Sequence, residues 1–233
     1  MRVLIATPLR QDRHIFREYQ TSLLGLNLPD GVTADIFYVV NDCPGLIPDL
    51  KGKWVEINTH DVYRKADGTH YWSDANLEKM SILRNRCIQE ALEGGYDFLF
   101  FVDSDLVLHP HTLRVLLEAD KDIVSELFWT NGWCNAWLYD QSSGMNPKWS
   151  EPGLYEVGMT GACMLVSRRV LEAGVDYSPI PNLKCLHGED RWFCIRAVCH
   201  GFTIWADSHC PPYHLYNEKE FKQYIEARRA EKC

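Results

Sequence analysis

Asp103-Ser104-Asp105 places two carboxylates one residue apart, directly after the apolar run Phe98 to Val102 in the stretch YDFLFFVDSDLVL, Tyr96 to Leu108. Burying two unpaired carboxylates costs several kcal/mol or more. The pair is therefore either solvated, capping the next helix, or neutralised by a cation. All-oxygen ligands point to magnesium or manganese, with substrate phosphates completing the shell. Other residues with chemical potential follow. Glu189-Asp190 opens a helix pattern, where acids complement the helix dipole or take part in chemistry. Arg84 and Arg86 lie mid-helix, on a solvated face or in contact with phosphate. His209 and His214 lie near the end, His214 directly after Pro211-Pro212-Tyr213. Four of the eight tryptophans fall between Trp129 and Trp149, with Asn131, Asn135, Tyr139 and Asp140 interleaved. Aromatic faces beside polar edges suit sugar rings, making Trp129 and Trp133 candidate sugar contacts, or else the stretch is satellite core.

The elements that must position these residues are legible from periodicity. Phe98 to Val102, bounded by Gly94-Gly95, reads as a buried central strand, and open α/β sheets hold ligands at the carboxyl ends of such strands. Arg2 to Thr7 is a first strand, and Ile15, Tyr19, Leu23 and Leu26 give one helical face before Pro29. Ala34 to Val40 and Lys53 to Asn58 are further strands, so the order implies a parallel sheet with right-handed crossovers. Thr59 to Ala75, seventeen residues with His60, Tyr63, Trp72 and Asp74, is long enough to be functional or disordered. Asn76 to Glu93 is a helix capped by Ser73 or Asp74 and ended by Gly94. Leu113 to Leu117 marks a short helix. Asp122 to Phe128, Ala162 to Val166 and Phe202 to Ala206 complete the strands; Ser167 caps a helix to Gly174, Arg191 to His200 forms another, and a terminal helix carries Phe221, Tyr224 and Ile225.

The 233 residues, 46% hydrophobic, can bury a sizeable core, and no linker, repeat or charge block divides them. One domain is expected. A formal net charge of −8 disfavours nucleic acid and implies that any phosphate ligand is small and metal-escorted. Val3 to Ala6 is too short for a signal or membrane span, so the chain reads as cytoplasmic, without a transmembrane segment. Nine cysteines scattered through strand and helix patterns read as reduced thiols rather than a disulfide framework or a zinc site.

Taken in order, the strand ending in Thr7-Pro8, the strand ending at Asp42, LRNRCIQEAL, FLFFVDSDL, GACMLVSRRVL, GEDRWFCIRAVCHGF and IWADSHCPPYHL resemble the glycosyltransferases of the glycosyltransferase-A fold, in particular the family-2-like group with its DxD motif. The resemblance runs from about Val3 to His214 and implies a single Rossmann-like α/β domain, with a mostly parallel central sheet flanked by helices. Residues 1–105 would form the donor half, 106–216 the acceptor and catalytic half, and 217–233 a C-terminal helix. It implies a sugar moved from a UDP- or GDP-sugar to a carbohydrate or other hydroxyl acceptor, with Mn2+ or Mg2+. Mapped onto this chain, it makes Thr7, Pro8, Arg10, Asp42, Arg84, Asp103, Ser104 and Asp105 donor-binding. Asp103, Asp105 and His214 would hold the metal, His214 being preferred to His209. Asp190, with Glu189, would be the catalytic base of an inverting transfer, and Gly161 and Trp192 would join Trp129 and Trp133 at the acceptor.

Two other readings compete. FFVDSDLVL also fits a phosphatase of the haloacid dehalogenase type, with Asp103 as nucleophile and Asp105 as acid, although that motif normally opens its domain. The other is a non-catalytic sugar-binding module of the same fold.

Overall fold

The computed structural model describes residues 1–60, 73–130, 132–139, 151–183 and 188–230, the side chains of 229 and 230 excepted. Tyr63, Trp72, Asn131, Asp140, Trp149 and Cys185 lie outside the described residues, as does most of the expected loop of Thr59 to Ala75.

In chain order the elements are β1 (Arg2–Leu9), α1 (Arg13–Leu24), β2 (Thr33–Val40), β3 (Lys53–Glu56), α2 (Asp74–Glu93), β4 (Phe98–Phe101), β5 (Leu106–Val107), α3 (Thr112–Glu118) and β6 (Ile123–Glu126). There follow β7 (Trp129–Thr130), β8 (Trp133–Cys134), β9 (Ala136–Trp137), β10 (Leu154–Val157), β11 (Met159–Thr160), β12 (Met164–Ser167), α4 (Arg168–Glu172), α5 (Glu189–Cys199), β13 (Ile204–Asp207), β14 (Tyr213–His214) and α6 (Glu218–Ala230). Ser73 caps α2 as expected, its side chain accepting from the Asn76 N–H at 3.3 Å.

Eight strands form the main sheet in the order β10-β13-β6-β12-β4-β1-β2-β3. Strands β4, β1, β2 and β3 pair in parallel, as do β13 and β6. Only β12, between β4 and β6, and the edge strand β10 run the other way. The sheet is mostly parallel, as the sequence implies, and the carboxyl ends of β1, β2, β4, β6 and β13 share one edge.

Strand alternation sorts the core onto two faces. Leu4, Ala6, Leu99 and Phe101 pack with Leu83, Cys87 and Ala91 of α2 and with Phe193 and Ala197 of α5. Val3, Ile5, Phe100 and Val102 pack with Phe16 and Tyr19 of α1 and with Leu113 and Leu116 of α3. Both faces of β4 are sealed, so the chain meets solvent only past its end. That is where Asp103 falls.

A third cluster, Ile15, Val107, Leu215 and Tyr224, docks α6 and the tail before it onto α1 and β5. The tail is itself ordered, since β14 pairs with β5 and the Leu215 N–H donates to the Asp105 carbonyl at 2.8 Å. Two prolines therefore lead into a short strand rather than an irregular tail. Cys43, Cys87, Cys134, Cys163, Cys194, Cys199 and Cys210 are free thiols, five of them buried. Among the described residues no helix is long and apolar enough to cross a membrane.

Candidate active site

At the carboxyl edge of the sheet lies a cleft of about 160 Å³ lined by Asp103, Asp105, Phe128, Asn135, Trp137, Gly161, Ala162, Asp190 and His214. Five of these, Asp103, Asp105, Gly161, Asp190 and His214, are residues the sequence singles out. They come from the end of β4, the turn before β12, the first turn of α5 and from β14. The parallel topology explains the convergence, because it brings the ends of distant segments to one edge.

Asp105 is 9% exposed, and its Oδ2 lies 3.3 Å from His214 Nε2. His214 is held edge-on to Phe128, with ring centroids 5.0 Å apart. Burial lowers the affinity of its ring for a proton, but the hydrogen bond to Asp105 and the charges of Asp105, Asp103 and Glu220 outweigh this and raise its pKa. His209 sits elsewhere, with Nδ1 3.0 Å from the Asp207 carboxylate. Asp103, Asp105 and His214 line the same cleft and offer oxygen and nitrogen donors of the kinds that manganese or magnesium takes. Among the described residues no three His, Cys, Asp or Glu side chains stand grouped closely enough to hold a metal ion by themselves.

Arg84 departs from both sequence expectations. It is 2% exposed, neither on a solvated face nor open to a ligand. Its Nη2 donates to Asp103 Oδ1 at 3.1 Å and lies 3.9 Å from Asp190 Oδ1, while Nε is 3.5 Å from Glu189 Oε1. The guanidinium carbon sits 5.4 Å from the centre of the Tyr177 ring and 6.0 Å from that of Phe101. Arg84 is thus a buried cation beneath three acids, and its helical position concealed this because its partners are remote in sequence. The neighbouring Asn85 accepts from the Tyr177 N–H at 2.9 Å and donates to Ser178 Oγ at 3.1 Å, seating Tyr177 under Arg84.

Asp190 occupies the first turn of α5, and its Oδ1 is buried with no hydrogen-bond partner among the described residues. Burial pushes its carboxyl up to about 8; Arg84 opposes the rise, and Glu189 and Asp103 add to it. Glu189 is 4% exposed and its pKa is also raised, burial outweighing the pull of Arg84. Gly161 faces this carboxylate so closely that a Cβ there would collide with both of its oxygens. Ala162 follows with φ 65°, a left-handed conformation uncommon for a residue with a side chain. Asn135 clamps this turn by donating to the Gly161 carbonyl at 3.0 Å and to the Glu126 carbonyl at 3.1 Å, and it accepts from the Phe128 N–H.

The other expected residues divide. Trp129 and Trp133 are 39% and 57% exposed on the β7–β8 hairpin, available as contacts rather than core. Trp192 is 5% exposed and does not line the cleft, because its position on α5 turns it into the protein. Thr7 is fully buried, its hydroxyl bonded to that of Tyr19. Ser104 is 8% exposed. Pro8, Arg10 and Asp42 lie at the ends of β1 and β2, where Asp42 accepts from Thr59 Oγ1 and the His60 N–H and lies 3.9 Å from Arg10. Phe128 and Ala162 were not singled out, and no local signal marks them as wall residues, while Trp137 was marked only as one of the four tryptophans of the aromatic stretch. Asn135 carried one weak signal, a polar residue among the tryptophans.

Residues 51–174 match the family model described as glycosyltransferase family 25, N-terminal domain. Among curated proteins, procollagen galactosyltransferase 1-A of Xenopus laevis is 30% identical over 78 residues, 31% of this chain and 13% of that protein. The probable inactive glycosyltransferase 25 family member 3 of Bos taurus is 26% identical over 133 residues, 52% of this chain and 22% of that protein. The chain thus spans less than a quarter of the length of either. Among solved structures, the mannosyltransferase PcManGT from Pyrobaculum calidifontis, in complex with GDP-Man and Mn2+, superposes with a TM-score of 0.51 at 12% identity, covering 90% of this chain and 56% of that one. At that identity the likeness concerns the fold.

Proposed function

Because this chain belongs to the glycosyltransferase family 25, N-terminal domain, family, we propose that it moves a sugar from a nucleoside-diphosphate sugar to a hydroxyl acceptor with inversion at the sugar carbon. The observation that carries this reading is the cleft where Asp103, Asp105, Asp190 and His214 meet at the carboxyl edge of the sheet. Residues 1–105 act as the donor half and 106–216 as the acceptor half of one domain, with 217–233 as its C-terminal helix.

Asp103, Asp105 and His214 hold a divalent cation, manganese or magnesium, which when bound supplies positive charge against the departing diphosphate. The donor's base or ribose lies toward Asp42 and Arg10. Asp190 takes the acceptor's hydroxyl proton as the oxygen forms its bond to the sugar carbon and the bond to the diphosphate breaks. Arg84 binds neither substrate, but its charge keeps the three acids around it together. Trp129 and Trp133 offer ring faces to the acceptor beyond the cleft.

The test is nucleoside diphosphate release from a panel of UDP- and GDP-sugars with Mn2+, for wild type and Asp105→Ala. Transfer and cation-dependent nucleotide binding should both be lost in the variant, with its circular dichroism unchanged because Asp105 lies past a strand end. Undiminished transfer by Asp105→Ala would remove the cation site from the mechanism. The match to a relative named probable inactive motivates a second reading, a binding domain that takes up the nucleotide-sugar without transfer. Cation-dependent donor binding with no release across the panel, acceptors included, would favour it.

A further inference from the structure

His214 presents two nitrogens to two different groups. Nε2 faces Asp105 Oδ2 at 3.3 Å, and Nδ1 lies 2.6 Å from Thr130 Oγ1 on the β7–β8 hairpin. The side chain is only 10% exposed, and Phe128 and Tyr216 flank it at centroid distances of 5.0 and 5.2 Å. The ring is therefore held in its plane with little water to complete its hydrogen bonding. A neutral imidazole that offers the Nε2 lone pair to a cation must carry its proton on Nδ1, and the acceptor of that proton selects the tautomer. Among the described residues the hydrogen-bond partner of Nδ1 is the Thr130 hydroxyl.

We infer that Thr130 is a positioning residue that accepts the Nδ1 proton of His214 and so holds Nε2 toward the cation beside Asp105. This rests on the reading of His214 as a cation ligand. A hydroxyl suits the place because it has a proton and lone pairs and can serve the ring in both conditions. Without a cation, Nε2–H donates to Asp105 and the hydroxyl donates to Nδ1. With one, the ring would carry its single proton on Nδ1 instead of Nε2, the hydroxyl would accept from Nδ1–H, and the Nε2 lone pair would face the cation. A carboxylate at 130 could only accept. Valine, with the same outline, could do neither.

The experiment measures Mn2+ affinity in the presence of UDP, and separately of GDP, by the electron paramagnetic resonance of free Mn2+, in wild type, Thr130→Val, Thr130→Ser and His214→Ala. Long-range proton–nitrogen spectra of the His214 ring are recorded with and without Mg2+ and the same nucleotide. We expect Thr130→Val to weaken Mn2+ by about 10- to 100-fold, the usual effect of removing such a partner. Thr130→Ser should restore affinity to within a few-fold, and the Mg2+-loaded wild type should show a proton on Nδ1 and none on Nε2. If His214→Ala weakens Mn2+ and Thr130→Val does not, the role of Thr130 is refuted while the ligand role of His214 stands. If His214→Ala leaves Mn2+ affinity unchanged, the ligand reading itself falls and the inference with it. A proton on Nε2 in the loaded wild type overturns the tautomer irrespective of how any variant folds.

Discussion

A general base works best with a pKa near the working pH, and at Asp190, the base proposed here, burial raises the carboxyl to about 8. Arg84 sets the limit. Its cation opposes the rise, while Glu189 and Asp103 assist it. A base acts in its deprotonated form, so kcat/KM should climb as pH rises toward about 8 and level off above it. Asp190→Asn should lower kcat by roughly 10²- to 10⁴-fold and remove that limb, with little change in donor affinity. Gly161→Ala tests the same carboxylate by crowding it. Its methyl group would displace Asp190, so kcat should fall while Tm stays near that of wild type. Steady-state kinetics from pH 5.5 to 9 check both variants, and a pH limb that survives in Asp190→Asn would assign the base to another group.

At the scale of elements, the adjoining ends of β6 and β13 hold a buried acid pair outside the cleft. Glu126 and Asp207 are Cα partners in parallel strands, 0% and 4% exposed. Glu126 Oε1 accepts from the Cys210 N–H at 2.6 Å, and His209 lies against the Asp207 carboxylate. Burial pushes the Glu126 carboxyl from 4.5 up to about 9, with the Asp207 charge as the next cause, so near neutral pH it carries a proton. The folded state thus holds a proton that the unfolded chain releases near 4.5. The stability this confers is complete below that value and is lost as pH rises toward about 9. Glu126→Gln keeps an acceptor for Cys210 and gains an N–H beside Asp207 without a titratable proton. Its Tm relative to wild type should therefore be higher at pH 9 than at pH 6, by about 2–4 °C for each kcal/mol of difference. Parallel pH dependence of the two melting curves would show that Glu126 is ionised throughout.

At the scale of the molecule, the tail from Asp207 to His214 closes the cleft against β5, and α6 fastens it to α1. Tyr224 and Arg228 both bind Glu18, and Phe221 stacks edge-on to His14 at 4.7 Å. The cleft thus draws on both halves of the chain, so a ligand held there should stabilise the whole fold. A site filled at a hundred times its Kd gains about 2.7 kcal/mol. Mn2+ with the correct nucleoside diphosphate should then raise Tm by several degrees, and Mn2+ alone by less. Asp105→Ala should lose that increment at the same protein concentration. Thermal shift across UDP and GDP reads the base preference directly, and a rise of equal size in the variant would place the nucleotide elsewhere.

The sequence by itself determined seven of the eight strands of the main sheet, the α-helices and the order of the acids, because each of these is a local pattern; the edge strand β10 and the two-residue strands carried no such pattern. A short unbroken apolar run marks a strand sealed on both faces, a serine cap marks the start of α2, and two carboxylates past that run mark a strand end. His214 is preferred to His209 only through the family resemblance, and the pairing of β14 with β5 is what brings it to the cleft. The tertiary structure decided the pairings. Arg84 belongs to Asp103, Glu189 and Asp190 only because β4 and α5 meet over α2, and helical periodicity carries no such information. Thr130 reaches His214 across 84 positions, a contact set by where the hairpin and β14 dock. Trp192 and Thr7, both plausible ligand contacts in the sequence, are buried because side-chain direction depends on which neighbour an element packs against. Local periodicity fixes which residues can share a face; packing between remote segments fixes what that face meets.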